Sequence, residues 1–395
     1  MTSPADIVIV SARRTAMGGF QGDLKDVAAT DLGAAALKAA VADANLAPTD
    51  VEQVVMGCVL PAGLGQAPAR QAALKAGLDL GTAAVTLNKM CGSGMKAVMD
   101  AHDALKAGSA DIIAAGGMES MTNAPYLLPK ARSGYRMGHG RVMDHMFLDG
   151  LEDAYEPGRA MGTFADETAR AYQFTREAQD AYALESLSRA QSAIANGSFA
   201  TEITPVAIKG AKGGVEVTID EQPGKARPEK IPGLKPAFSP DGTVTAANAS
   251  SISDGAAALI LMRRETAEAR GLTPMATILG HSVHAQKPAL FTTAPVPAIQ
   301  KLLTRLNWTT DSVDLFEINE AFAVVTMVAM QELGIAHAKV NVNGGATALG
   351  HPIGASGARI LVTLIHALQK RGGGKGIASL CIGGGEATAV ALQLG

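Results

Sequence analysis

Apolar positions along this chain follow two periods. The run Ile7-Val8-Ile9-Val10 is apolar at every position, which predicts a strand buried on both faces. Leu37, Ala40, Val41 and Ala44 fall at helical spacing and predict a helix with one buried face. That face recurs as Ile299, Leu302, Leu303 and Leu306, each 262 positions further on. A short loop and an apolar strand follow each helix, Val54-Val55-Met56 in one case and Leu315–Ile318 in the other. The segments near 30–57 and 292–319 thus read as two copies of one unit.

A second block keeps nearly the same offset. Ser93-Gly94 and Ser356-Gly357, 263 positions apart, each open a helix with a narrow polar stripe. The stripe is Lys96, Asp100 and Asp103 in the first copy, and Arg359, Thr363 and His366 in the second. The other faces are Met, Val, Leu, Ile or Ala, so each helix is expected to be nearly enclosed by protein. Gly108 and Gly372 end these helices. Strands Asp111–Ala115 and Gly376–Ile382 then run into Gly116-Gly117 and Gly383-Gly384-Gly385. Strands alternating with helices, written twice, predict an α/β fold of two duplicated halves packed against each other.

The middle differs. All five tyrosines and five of the nine phenylalanines lie between 122 and 251, unlike either copy. A helix is expected from Thr175 to Asn196-Gly197, a strand at Val215–Ile219, and Pro/Gly-rich turns over 223–242. This reads as an insertion in the first half that grips a ligand or covers it. The division expected is 1–121 plus 252–273, an inserted 122–251, and 274–395. The insertion also holds Lys130, Arg132, Arg136 and Arg141, either a solvated face or a contact for ligand phosphates or another subunit.

Composition narrows the function classes. At 395 residues and 47% hydrophobic content the chain can build more than one sizeable core, and a net charge of -3 favours neither nucleic acid nor an anionic membrane as partner. No apolar stretch of about 18 residues is present to span a bilayer. The early apolar run reads as a strand and not as a cleavable leader, so a cytoplasmic location is expected. Three cysteines, Cys58, Cys91 and Cys381, are an odd number set far apart, against a disulfide framework or a zinc site.

The cysteines and loops carry the chemistry. Cys91 precedes Gly92-Ser93-Gly94 and a buried helix, where the helix dipole and free N–H groups would favour the thiolate, bringing its pKa from ~8.5 toward ~7. That placement reads as a nucleophile. His351 lies in the loop that the repeat makes equivalent, so the two halves would bring it toward Cys91, where it can take the thiol proton. A loop histidine that merely caps its helix is the plainer reading. Cys381 ends a strand before three glycines, as an active-site group or a buried strand residue. Asn319, after the strand Leu315–Ile318, is either an amide donor or a helix N-cap. Neither Gly-x-Gly-x-x-Gly after the first strand nor a phosphate-binding Gly-x-x-x-x-Gly-Lys-Ser/Thr occurs.

Taken together, Asn88-Lys89-Met90-Cys91-Gly92-Ser93-Gly94, Gly116-Gly117-Met118-Glu119-Ser120, Asn319-Glu320-Ala321-Phe322, Gly350-His351-Pro352-Ile353-Gly354 and Cys381-Ile382-Gly383-Gly384-Gly385 resemble the motifs of the thiolase family, in the family's order and over essentially the whole chain. The resemblance implies a layered sandwich of two thiolase halves with an inserted loop domain. It implies coenzyme A thioesters as substrates, no permanently bound cofactor, no metal, and a homodimer or homotetramer. The implied activity is that of an acetyl-CoA C-acetyltransferase. Two acetyl-CoA condense to acetoacetyl-CoA through an acetyl-Cys91 intermediate, and thiolysis is the reverse.

On the same resemblance His351 activates Cys91, Cys381 moves the α-proton, and His351 with a water on Asn319 forms one oxyanion site. The N–H groups of Cys91 and Gly383 form the other. Coenzyme A contacts fall to Leu151, Met161, Lys235, Ala246, Ala249, Ser250 and Phe322, and the acyl tail to Phe291. Two departures from biosynthetic members, Arg159-Ala160 before Met161-Gly162 and phenylalanine at 291, bear on chain-length preference. A broader-chain 3-ketoacyl-CoA thiolase and a non-catalytic acyl-CoA-binding relative are the alternatives.

Overall fold

The computed structural model describes residues 3, 5–210 and 213–395. Its centre is a large mixed sheet. Through the first half, the strand order is Ile7–Thr15, Ser253–Arg263, Ile112–Ser120, Gln53–Gly57 and Ala83–Leu87. On the other side of Ile7–Thr15 the order is Ala276–Ala285, Glu386–Leu394, Gly374–Ile382 and Leu315–Ile318. In each half the first strand lies beside the last, followed by the penultimate and the second. The duplication read from helix faces therefore extends to strand order. The halves join where Ile7–Ile9 pairs antiparallel with Ala276–Ile278.

Alternation along the first strand sorts its side chains into two cores. Ile7 and Ile9 join a central cluster, and Val8 and Val10 an outer one. The central cluster surrounds the helices Ser93–Lys106 and Ser356–Lys370, which pack on each other between the strands of both halves. Helices Ala29–Asp43 and Pro295–Leu306 cover the outer faces, giving layers of helix, strand, helix, strand and helix. A Cβ on Gly94 would meet the Ala358 nitrogen at 2.8 Å, and one on Gly357 would meet the Met95 nitrogen at 2.4 Å. The repeated Ser-Gly is thus a reciprocal close crossing of the two central helices.

Two local expectations need correction. The strand after the first central helix does not stop before Gly116-Gly117 but runs through them, Ile112–Ser120. Both glycines are extended and admit close neighbours. A Cβ would lie 2.0 Å from the Ala257 oxygen at Gly116, and 2.1 Å from the Gly354 oxygen at Gly117. In the insertion, the helix is found where it was expected, Arg176–Ala195 between caps Thr175 and Asn196, with the Thr175 hydroxyl accepting from the Ala178 N–H at 3.2 Å, but the neighbouring strand is displaced. The strand expected at Val215–Ile219 is Gly213–Val217, paired with Val206–Gly210.

Buried ions tie the insertion to both halves. Arg14, in the first strand, is fully buried and forms a bidentate pair with Asp220 at 2.7 and 2.8 Å, with Glu202 on its other nitrogen. Glu202 also accepts from Thr363 at 3.1 Å, and His366 bonds Thr201 and the Ala12 carbonyl. Thr363 and His366 of the polar stripe on the second central helix are therefore its joint with the insertion, while Arg359 faces Glu317 of its own half. No described helix is long and apolar enough to cross a membrane.

Candidate active site

Cys91 sits on a sharp turn between the strand Ala83–Leu87 and the helix that begins at Ser93. Met90 takes a left-handed φ of +48°, a strained conformation for a residue with a side chain. Ser93 holds the turn: its hydroxyl donates to the Met90 carbonyl at 2.6 Å and accepts from the Lys89 N–H at 2.8 Å. A Cβ on Gly92 would lie 2.3 Å from the Cδ1 of Ile382, so any side chain there would displace the Ile382 side chain where the cysteine loop meets the end of the Cys381 strand.

Burial pushes the Cys91 thiol up to about 11, with the Glu119 carboxylate adding to the rise, while the backbone N–H groups of Gly383 and of Cys91 itself favour the thiolate but are outweighed. The expectation of a depressed pKa is overturned. A helix N-terminus is visible in the sequence, whereas the desolvation that outweighs it comes from tertiary packing.

His351 is buried and lines the same cleft as this thiol. Burial, with the Arg359 guanidinium adding to it, holds the imidazole down to about 3, so it is neutral. Its Nδ1 lies 2.6 Å from Ser356 Oγ, and that hydroxyl donates to the Pro352 carbonyl at 2.9 Å. Ser356 therefore accepts from Nδ1–H, which leaves Nε2 as the lone-pair nitrogen. Nε2 is buried without a hydrogen-bond partner among the described residues. Ser356 is the repeat counterpart of Ser93, and each serine braces its own loop.

The remaining residues come from the second half. Cys381 is buried near the end of the strand Gly374–Ile382, and burial, with Cys91 beside it, raises its thiol well above the ordinary range. Asn319 follows the parallel strand Leu315–Ile318, and its N–H donates to the Ser379 carbonyl at 3.0 Å. Its side chain is buried, and neither amide atom has a hydrogen-bond partner among the described residues. The helix beyond starts at Ala323 with Phe322 at the cap position, so Asn319 is not an N-cap.

Cys91, His351, Cys381 and Gly383 line one cleft of about 560 Å³, together with Leu151, Met161, Ser250, Phe291 and Phe322. Phe291 is buried and meets Phe164 and Phe322 edge to face, at centroid distances of 6.2 and 6.5 Å. Ala249 forms a backbone bridge with Phe322. Ala246 lines a second hollow of about 320 Å³ beside Lys225, Arg227, Lys230 and Leu234. Lys235 is exposed and lines neither space, and Asn319 stands behind the cleft wall. The cluster Lys130, Arg132, Arg136 and Arg141 is exposed and also lies outside the cleft.

Three features escaped sequence reasoning. Glu119 is buried and accepts from the N–H groups of Val59 at 2.9 Å, Leu60 at 3.1 Å and Gly354 at 2.9 Å. It thereby ties the loop beside Cys91 to the loop of His351, and burial lifts its carboxyl to about 7. Its place in the Gly116–Ser120 motif was the available signal. The lysines and arginine of the second hollow were hidden in a stretch read as turns. His145, bonded to Asp149 at 2.6 Å, lines the cleft with no sequence signal beyond i,i+4 spacing.

This geometry has close relatives. Residues 7–265 match the family model for the thiolase N-terminal domain, and 272–394 match that for the thiolase C-terminal domain. The acetyl-CoA acetyltransferase of Cupriavidus necator is 50% identical over 390 residues, covering 98% of this chain and 99% of its own. That of Escherichia coli (strain K12) is 50% identical over 388 residues, with 98% of each chain covered. Among solved structures, the Acat5 thiolase of Ascaris suum in complex with coenzyme A superposes with a TM-score of 0.94 at 42% identity, over 98% of this chain and 100% of that one. The Bacillus anthracis acetyl-CoA acetyltransferase gives 0.96 at 41%, over 99% and 100%. Two cysteines and a lone-pair histidine gathered in one cleft from two like halves, with family models and relatives that match the chain almost end to end, make it a member of the thiolase family.

Proposed function

We propose that this chain is an acetyl-CoA C-acetyltransferase that condenses two acetyl-CoA to acetoacetyl-CoA and free CoA, and catalyses the reverse thiolysis. The observation that carries the reading is the unpartnered Nε2 of His351, fixed by Ser356, in the same cleft as two cysteine thiols. His351 takes the Cys91 proton as the sulfur attacks acetyl-CoA. The departing CoA thiolate takes the proton of Cys381. The Cys381 thiolate then removes an α-proton from the second acetyl-CoA, and the carbanion attacks acetyl-Cys91. Cys91 leaves as thiolate and recovers its proton from His351, so the cycle closes with every proton returned.

The N–H groups of Cys91 and Gly383 suit the oxyanion at the acylated sulfur, and one such donor is worth ~3 kcal/mol of transition-state stabilisation. The imidazolium, with a water on the unpartnered amide of Asn319, suits the enolate oxygen. Leu151, Met161, Ser250 and Phe322 are read as the pantetheine channel. Ala246, Ala249 and Lys235 are assigned to the outer part of coenzyme A, which Lys225, Arg227 and Lys230 would hold by its phosphates.

We read the chain as three units, 1–121 with 252–273, the inserted 122–251, and 274–395, acting in the cytoplasm in fatty acid metabolism as a homodimer or homotetramer. Oligomerisation is supported by the edge strand Ala83–Leu87, which has a neighbour on one side only and exposes Val85. The acetyl preference is supported by Phe291, which fills space at the cleft wall that a longer acyl chain would need. The test is a thiolysis profile across 3-ketoacyl-CoA chain lengths. Activity concentrated on acetoacetyl-CoA supports the reading, and flat activity out to long chains favours the broader thiolase.

A further inference from the structure

The helix that starts at Ser93 ends at Lys106, and its last turns carry His102 and Asp103. Strand Ala276–Ala285 of the other half brings His281 to the same place. Asp103 Oδ1 lies 2.9 Å from His102 Nδ1 and 2.9 Å from His281 Nε2. The two imidazoles meet edge to face with centroids 5.1 Å apart. One ligand atom from each residue fits within a span of 4.8 Å, the one such group of His, Cys, Asp or Glu found among the described residues.

The imidazoles are mostly covered, with 12% and 18% of their side chains exposed, while the Asp103 side chain is 59% exposed. The nitrogens are thus held in place and the carboxylate side stays open to solvent. Three features favour a cation here. Two imidazoles and one carboxylate match the ligand preference of zinc. A tetrahedral ion ~2.0–2.1 Å from each atom sets neighbouring ligands ~3.3 Å apart, so the 2.9 Å contacts open by a few tenths of an ångström. The position also lies at a helix C-terminus, where the dipole favours positive charge. Lys106, the nearby cation, directs its amine to the Ala5 carbonyl at 2.6 Å.

We propose that His102, Asp103 and His281 form a site for a divalent transition metal of the zinc type, fastening the end of the helix behind Cys91 to the opposite half. The nine residue steps from Ser93 to His102 span ~14 Å of helix, which separates this site from the cleft. Water would fill the fourth position on the exposed side.

The test must exclude binding by the cleft cysteines. Full-length metal-stripped protein carrying Cys91→Ala and Cys381→Ala is titrated with Zn²⁺ by calorimetry and with Co²⁺ by absorbance. Wild-type protein blocked with iodoacetamide serves as a second parent should the double variant misfold. One equivalent is expected, with a Co²⁺ spectrum free of thiolate charge-transfer bands. The affinity is expected to fall at least tenfold in His102→Ala and in His281→Ala, and Zn²⁺ should raise the melting temperature of the parent only. No saturable binding, equal affinity in parent and both variants, or a thiolate-type spectrum would each overturn the proposal.

Discussion

Replacing Ser356 with alanine removes the hydroxyl that fixes which nitrogen of His351 carries the proton. In the native loop the 2.6 Å bond from Nδ1–H to Ser356 Oγ keeps Nε2 free for the Cys91 proton. Without the hydroxyl, the Nδ1–H tautomer leaves a buried donor unsatisfied, a penalty of ~1–3 kcal/mol. The other tautomer avoids it by turning N–H toward the cleft, where it cannot act as a base. The base-competent population, and with it the rate of Cys91 acylation, should fall ~5- to 150-fold.

Rapid-quench measurement of a single acetylation turnover reads this step directly. The KM for acetyl-CoA should hardly move, because Ser356 is fully buried and does not line the cleft. Ser356→Thr keeps a hydroxyl and should recover most of the rate. If Ser356→Ala acetylates within twofold of wild type, the tautomer argument is wrong. Equal impairment of the Ala and Thr variants would assign the effect to packing at the helix start.

Three further outcomes follow from the geometry. With its thiol pushed up to about 11, Cys91 should alkylate with iodoacetamide at a rate that climbs about tenfold per pH unit between pH 7 and 10. A plateau setting in near pH 7 would instead support a thiolate stabilised by the helix dipole. Asp220→Ala removes the bidentate partner of the fully buried Arg14 guanidinium, leaving it Glu202 alone, and should lower unfolding free energy by ~3–5 kcal/mol in urea melts; a loss under 1 kcal/mol would contradict it. Phe291→Ala opens space beside the cleft and should raise kcat/KM for a six-carbon 3-ketoacyl-CoA relative to acetoacetyl-CoA by tenfold or more; an unchanged ratio removes Phe291 from specificity.

The legible and illegible parts of the molecule divide along physical lines. Repeated faces and glycines are local signals, so the two halves and the central helices could be read from Leu37, Ile299, Ser93 and Ser356. The cleft's loops were readable because Cys91, His351 and Cys381 sit beside glycines with no structural need for such residues. Pairings across long separations left no pattern: Arg14 meets Asp220 206 positions away, and Glu119 meets Gly354 235 positions away. The strand was expected to end at Ala115 because glycine weakens strands, yet here Gly116-Gly117 lets neighbouring backbone approach a strand that continues. The Cys91 thiol was misjudged in direction because sequence shows the helix dipole and conceals the burial.

The central claim is that Cys91 carries the acetyl group between thioesters. Intact-mass measurement with peptide mapping, after brief mixing with acetyl-CoA and acid quench, tests it most directly. The account predicts one acetyl group on the peptide containing Cys91, retained in Cys381→Ala and absent in Cys91→Ala. An acetyl group on Cys381 in the wild type, or none on Cys91 in a protein that still forms acetoacetyl-CoA, would contradict it.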